Sequence, residues 1–186
     1  MRKIVNATYM TLDGDITNMQ SWHMDYFGEQ AEQAARRQLF ESEALIMGRG
    51  TYEGFFPAWS AQAGQNAFAD RMNSMPKYVV SSTLTDPEWT NSHVIADDVA
   101  ARIRALKEED GGGILQYGFG DVTRLMLEHR LLDEFRVWLH PVLSGKAQPA
   151  DLLYRDMAKV DFELTGTETH STGLVILTYA PKYARR

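Results

Sequence analysis

Three stretches of the chain put glycine or hydroxyl residues directly behind a short apolar run. They are Gly48-Arg49-Gly50-Thr51-Tyr52-Glu53 after Ala44 to Met47, Ser81-Ser82-Thr83 after Val79-Val80, and Gly118-Phe119-Gly120-Asp121 after Ile114 to Tyr117. A turn of this kind that opens a helix aims backbone N–H groups and the positive helix end at an anion, and glycine lets the backbone approach it closely. Arg49 adds a two-pronged contact for a phosphate. Each turn alone also reads as an ordinary connection. Together they carry more, because all three fall at the carboxyl ends of predicted parallel strands, where open α/β sheets bind ligands and one crevice can hold an extended dinucleotide. The third glycine of Gly-x-Gly-x-x-Gly is missing, and no Gly-x-x-x-x-Gly-Lys-Ser/Thr loop occurs, which disfavours a Rossmann enzyme and a P-loop nucleotidase.

The elements that must hold these turns follow from apolar spacing. Lys3 to Thr11 is β-branched and apolar and precedes the turn residues Asp13-Gly14-Asp15, so it predicts a strand and a loop. Phe27, Ala31, Ala34, Ala35 and Leu39 recur at three- and four-residue spacing, predicting an amphipathic helix over Asp25 to Ser42. Ala44 to Met47, Lys77 to Ser81, His93 to Ile95 and Ile114 to Tyr117 predict further strands, the first wholly apolar as a strand buried on both faces requires. Ala61 to Met75 reads as helix. Val99, Ile103 and Leu106 form the stripe of another, capped by Asp97 or Asp98, and Asp121 to His129 is a third. Phe135 to Leu143 predicts a long strand, Gly145 to Ala150 a flexible loop, and Phe162–Thr169 with Leu174–Tyr179 a hairpin. Strands alternating with helices and closed by a hairpin argue a three-layer α/β/α fold with a mostly parallel central sheet and a C-terminal antiparallel hairpin.

Composition excludes other chemistry. The absence of cysteine removes disulfides, thiolate nucleophiles, Cys-ligated zinc and iron–sulfur clusters. His23, His93, His129, His140 and His170 show no compact ligand spacing, so no metal site is expected. A net charge of −6 opposes binding to nucleic acid, and the pairs Arg36-Arg37 and Arg185-Arg186 read as solvated surface. The 186 residues, 44% hydrophobic and 24% charged, suit one soluble domain. No apolar run of ~18 residues suggests a membrane span, and the start lacks a secretory signal, so a cytoplasmic location is expected.

The order Leu12-Asp13-Gly14, Ile46-Met47-Gly48-Arg49-Gly50-Thr51-Tyr52-Glu53, Pro76 to Thr83, Gly118-Phe119-Gly120 and Leu132-Asp133-Glu134 with Pro141-Val142 resembles the dihydrofolate-reductase-like superfamily. The likeness is closest to the branch containing the reductase domain of bifunctional riboflavin-biosynthesis proteins. It covers Arg2 to about Lys182, so residues 1–182 are expected to form a single domain and 183–186 a short tail. The His-x-Glu and Pro-Cys-x-x-Cys elements of the zinc deaminases are absent, which implies a stand-alone reductase domain.

The resemblance implies a site for NADPH. Gly48, Arg49 and Thr51 match the turn that binds cofactor phosphates, Arg49 with Ser81, Ser82 and Thr83 lies near the 2′-phosphate, and Gly118, Phe119, Gly120 and Asp121 match the loop that cradles the pyrophosphate. Phe119 departs from the smaller residue common there, and its ring either points away or narrows the groove. A buried carboxyl with raised pKa is one suitable proton donor or relay. The register of dihydrofolate reductases places such an acid at Glu32, on a helix where it reads equally as a solvated charge. Asp13 and Trp22 fall in the loop bordering the pocket, Asp13 as a second acid or simply the former of the Asp-Gly turn, Trp22 as a substrate contact. The implied function is an NADPH-dependent reductase that transfers hydride to a small planar heterocycle, pyrimidine- or pterin-like, or to a related carbonyl compound. The branch also implies a homodimer, with Leu139 and Val175 of the C-terminal strands on its surface. The alternative is a non-catalytic dimeric binding protein that keeps the fold and has lost hydride transfer.

Overall fold

The structure is a computed structural model in which residues 1–154 and 156–183 are described; the expected tail 183–186, beyond Tyr183, and the pair Arg185-Arg186 lie outside the described residues. The strands are β1 (Ile4–Thr11), β2 (Ser42–Gly48), β3 (Lys77–Val80), β4 (Ser92–Ile95), β5 (Gly113–Tyr117), β6 (Glu134–His140), β7 (Asp161–Thr169) and β8 (Val175–Lys182). The helices are α1 (Glu29–Phe40), α2 (Arg49–Ser60), α3 (Ala67–Ser74), α4 (Val99–Glu108) and α5 (Asp121–Glu128). All strands join one sheet in the order β4-β3-β2-β5-β1-β6-β8-β7. The first six are parallel, while β8 runs antiparallel to β6 and β7 antiparallel to β8.

Alternation along the strands sends side chains to two cores. Ile4, Ala44, Ile46 and Ile114 pack with Ile103 and Leu106 of α4 and with Val122 and Met126 of α5. Ala7, Leu45, Met47, Val79 and Leu115 pack with Leu39 of α1, Tyr52 of α2 and Met72 of α3. The sheet is thus sandwiched between helical layers, as the sequence led one to expect. No helix among the described residues is long and apolar enough to cross a membrane.

Four boundaries differ from the sequence reading, each for a local reason. The helix expected over Asp25 to Ser42 begins at Glu29, because Gly28 is extended (φ −90°, ψ −174°) and Met24–Tyr26 forms a separate 3-10 turn. The stretch Ala61 to Met75 is not one helix: Gly64 turns the chain at φ 77° and the Asn66 side chain caps α3 by accepting from the Ala69 amide. Asp98 does precede α4, but at φ 45° and without a side-chain cap bond. The strand expected to reach Leu143 stops at His140, since Pro141 has no N–H to continue the ladder.

Candidate active site

Helix α2 begins immediately behind β2, and α5 follows β5 after the short turn Gly118-Phe119-Gly120. Their N-caps are glycines, Gly48 and Gly120, which have no side chain to occupy the first-turn N–H groups. Both turns border one depression of about 490 Å³, lined by Gly48 to Thr51 and Gly118 to Asp121. It continues into a second of about 380 Å³ lined by Ala7, Tyr9, Met19, Phe55 and Tyr117, the two sharing Ile16, Thr17, Gly50, Thr51, Tyr117 and Gly118. A methyl group added at Gly50 or Gly120 would meet no atom within 4 Å, so the backbone of both turns faces open space. Gly118 holds φ +76°, a conformation that favours glycine.

The glycine loop after β5 is tied to β1 by a buried polar network. The Asn6 amide donates to Gln116 Oε1 and to the Gly118 carbonyl, each at 2.7 Å, while its oxygen accepts from the Thr8 hydroxyl at 2.7 Å. Thr123 donates to Gln116 Oε1 at 3.0 Å and accepts from the Gly120 amide at 3.3 Å. Asn6, Thr8 and Thr123 are fully buried, so the loop is fixed from beneath rather than hung in solvent.

The expected phosphate residues divide. Arg49 stands half-exposed at the rim, its Nε donating to Glu53 at 2.6 Å and its Nη1 to the Thr83 hydroxyl at 2.5 Å. Thr51 lines both cavities. Ser81 is spent on its own turn, its hydroxyl accepting from the amides of Thr83 and Leu84, and Ser82 is exposed; neither lines the cleft. Asp121 reaches the cleft edge but is largely exposed and lies 3.7 Å from Arg124. Phe119 borders the cleft with its ring on Phe135 of β6, centroids 5.5 Å apart, so its bulk is turned into packing.

The two expected carboxyls and the expected tryptophan lie elsewhere. Glu32 is exposed on α1 and lines neither cavity, because the buried stripe of that helix is Ala31, Ala34, Ala35 and Leu39. Asp13 is a turn-former: its oxygens accept from the Thr11 hydroxyl, the Ser144 amide and hydroxyl and the Gly145 amide. Those hydrogen bonds hold its carboxyl well below the usual carboxylate range, the reverse of what a proton donor needs. The fully buried acid of the loop is Asp15, two residues on. Burial raises its pKa, but bonds from Thr17, Asn18 and Ser144 outweigh this and hold it below its ordinary value. Trp22 is buried with its indole edge-on to His140 at 4.7 Å, behind the cavity wall rather than in it.

A feature absent from the sequence reading sits behind Tyr9 of that wall. His23 Nδ1 lies 3.0 Å from His140 Nε2, and His140 Nδ1 lies 2.9 Å from the Trp138 carbonyl. The carbonyl can only accept, so His140 carries its proton on Nδ1 and His23 donates from its own Nδ1. Burial, and then the neighbouring His140, lower the His23 pKa to about 4; burial lowers that of His140 as well. Tyr9, Trp22, Tyr26 and Phe27 enclose the pair. The two histidines are 117 positions apart, and the β1–β6 pairing sets His140 beside Thr11, where the loop that carries His23 begins.

The eight-stranded, mostly parallel sheet with its C-terminal antiparallel strands and helices on both faces has the α/β dihydrofolate-reductase-like fold. The family model of the RibD C-terminal domain matches residues 2–176, and the chain belongs to that family. The uncharacterized protein YyaP of Bacillus subtilis (strain 168) is 25% identical over 186 residues, covering 96% of this chain and 94% of that protein. A diaminohydroxyphosphoribosylaminopyrimidine deaminase/5-amino-6-(5-phosphoribosylamino)uracil reductase of Thermotoga maritima superposes with TM-score 0.68 at 15% identity, covering 97% of this chain and 57% of that one. A pyrimidine reductase-like protein of Corynebacterium diphtheriae superposes with TM-score 0.66 at 11% identity, covering 98% and 93%. At such identities the structural likeness speaks for the fold.

Proposed function

We propose that the chain is an NADPH-dependent reductase that transfers hydride to a small planar heterocycle or a related carbonyl compound. One observation carries this reading: the N-termini of α2 and α5 open on the same depression, with Arg49 at its rim and a largely apolar chamber next to it. The open space beside Gly50 and Gly120 fits a pyrophosphate against backbone amides. NADPH, when bound, supplies the hydride. The protein's part is to hold and to exclude: the turns Gly48 to Thr51 and Gly118 to Asp121 take the phosphates, Arg49 with Thr83 takes the 2′-phosphate, and Ile16, Phe55 and Met19 keep water from the chamber. Ser81 shapes the turn that presents Thr83. The reading includes a homodimer in the cytoplasm.

The second reading, a dimeric binding protein without catalysis, is favoured by one fact. Neither Glu32 nor Asp13 lines the chamber, so no expected acid is in place to deliver a proton.

The test is a thermal-shift titration with NADPH beside NADH. A ligand that binds only the native state stabilises it by RT ln(1 + [L]/Kd), about 2.7 kcal/mol at a hundredfold excess over Kd. A clear shift with NADPH, smaller with NADH and reduced in Arg49→Ala, supports the cofactor site; no shift at millimolar NADPH sinks it. NADPH binding without oxidation by any acceptor in a broad panel favours the second reading.

A further inference from the structure

The chamber beside Gly118 has a lining that discriminates between ligand chemistries. Its walls are apolar, and the hydroxyl-bearing residues in its lining are Tyr9, Thr17, Thr51 and Tyr117. Among the described residues that line it there is no carboxylate and no cation. The nearby acids are committed elsewhere. Asp13 is bound to Thr11, Ser144 and Gly145, Asp15 to Thr17 and Asn18, and Glu32 is exposed on α1. A protonated ring, or one presenting an amidine-like pair of N–H donors, would give up water in this chamber and meet no carboxylate in return. An uncharged ring with a carbonyl oxygen meets donors instead.

Tyr9 is the donor best placed. The Tyr117 hydroxyl is sealed inside the protein, which leaves Tyr9 as the phenol of the chamber. Its ring is held on three sides, stacked on His23 at 4.6 Å and 21°, tilted against Trp138 at 5.0 Å and against His140 at 5.8 Å. The bonds from His23 to His140 and from His140 to the Trp138 carbonyl fix that stack, so the phenol is oriented before any ligand arrives. Burial and the neighbouring Tyr117 raise the Tyr9 pKa well above its ordinary value, which keeps the hydroxyl a donor throughout the physiological range.

We infer that the chamber selects an uncharged, flat acceptor that accepts a hydrogen bond from the Tyr9 hydroxyl through a carbonyl oxygen, and that it rejects cationic and amidine-like rings. This rests on the reductase reading for which end of the cleft is left to the acceptor. The experiment is isothermal calorimetry on the full chain saturated with NADP⁺, so that no turnover intervenes. The probes are isatin, a flat uncharged dicarbonyl, and 2,4-diaminopyrimidine at a pH where it is protonated. Isatin is expected to bind the wild type and to bind Tyr9→Phe about tenfold more weakly, the worth of one neutral hydrogen bond. The diaminopyrimidine is expected to bind at least about tenfold more weakly than isatin. Equal isatin affinity in Tyr9→Phe, tighter binding of the diaminopyrimidine, or no isatin binding to a protein that binds NADP⁺ overturns the inference. If NADP⁺ and NADPH fail to bind while isatin binds the apo protein through Tyr9, the cofactor reading falls and the ligand class stands.

Discussion

Replacing Asn6 by leucine isolates the device that holds the glycine loop. Leucine is close in size, so the change is one of hydrogen bonding rather than volume. It leaves the buried Thr8 hydroxyl without its acceptor and strips the Gly118 carbonyl of its 2.7 Å donor, keeping only the 3.5 Å contact to Thr123. Gln116 Oε1 fares better, since Thr123 still donates to it at 3.0 Å. One buried hydroxyl is therefore orphaned and one half-buried carbonyl loses its short donor, at about 1–3 kcal/mol each, giving a loss of about 3 kcal/mol once the greater apolarity of leucine is set against it. For a domain of this size 1 kcal/mol moves the melting midpoint by roughly 2–4 °C, so Asn6→Leu should melt about 6–12 °C below the wild type by circular dichroism. Adding Thr8→Val removes one orphan and should restore about 1 kcal/mol. If NADPH binds in the cleft, its Kd should rise in Asn6→Leu, because the Gly118 carbonyl then pins the loop less tightly. A midpoint within about 2 °C of wild type would refute the network's role in stability.

Other perturbations probe separate parts of the cleft. Arg49→Ala should weaken NADPH binding by about 10- to 100-fold in a fluorescence titration, the range for a hydrogen bond to a charged group, and should leave NADH much less affected. Gly118→Ala forces a side chain into φ +76° and should lower stability by about 1–2 kcal/mol in urea denaturation. Glu32→Gln should leave cofactor affinity and melting midpoint unchanged, in keeping with its exposed place on α1. The histidine pair sets a pH dependence: with the His23 pKa lowered to about 4 from 6.5, the unfolded chain binds protons that the folded one refuses. Stability should be complete above pH 6.5 and fall as the pH drops toward about 4, and His23→Gln should flatten that slope in melts across the window.

The fold was legible because its signals are local and redundant. Ala44 to Met47 is apolar on both faces, as an interior strand requires, Ile114 to Tyr117 is buried as far as Gln116, its one amide, and the glycine turns behind them mark the same sheet edge. The glycine-lined half of the candidate cleft could be placed for that reason, since Gly48 to Thr51 and Gly118 to Asp121 need only their own strands to be positioned. The lining of the adjoining chamber could not. Asp13 and Glu32 are acids by type, but their function depends on which way they face: one is captured by Ser144 and Gly145 across 131 and 132 positions, and the other lies outside the buried stripe of its helix. The His23–His140 contact has no sequence spacing to betray it, and Trp22 could be placed in the loop but not behind its wall. Tyr9 read as one more strand residue until the register set it beside Trp138 and over His23.

The central place of β1 has a consequence for how the chain is made. β1 is made before the strands that flank it, β5 and β6, and the Ile4 amide binds Asp133 across 129 positions and Asn6 binds Gln116 across 110. Until those partners emerge, β1 presents unpaired N–H and C=O groups along both edges and apolar side chains on both faces, a template for pairing with other nascent chains. Polypeptides released before His140 therefore lack the strand that closes one flank of β1 and are expected to aggregate or engage chaperones, whereas those released after it can bring the whole cleft together at once.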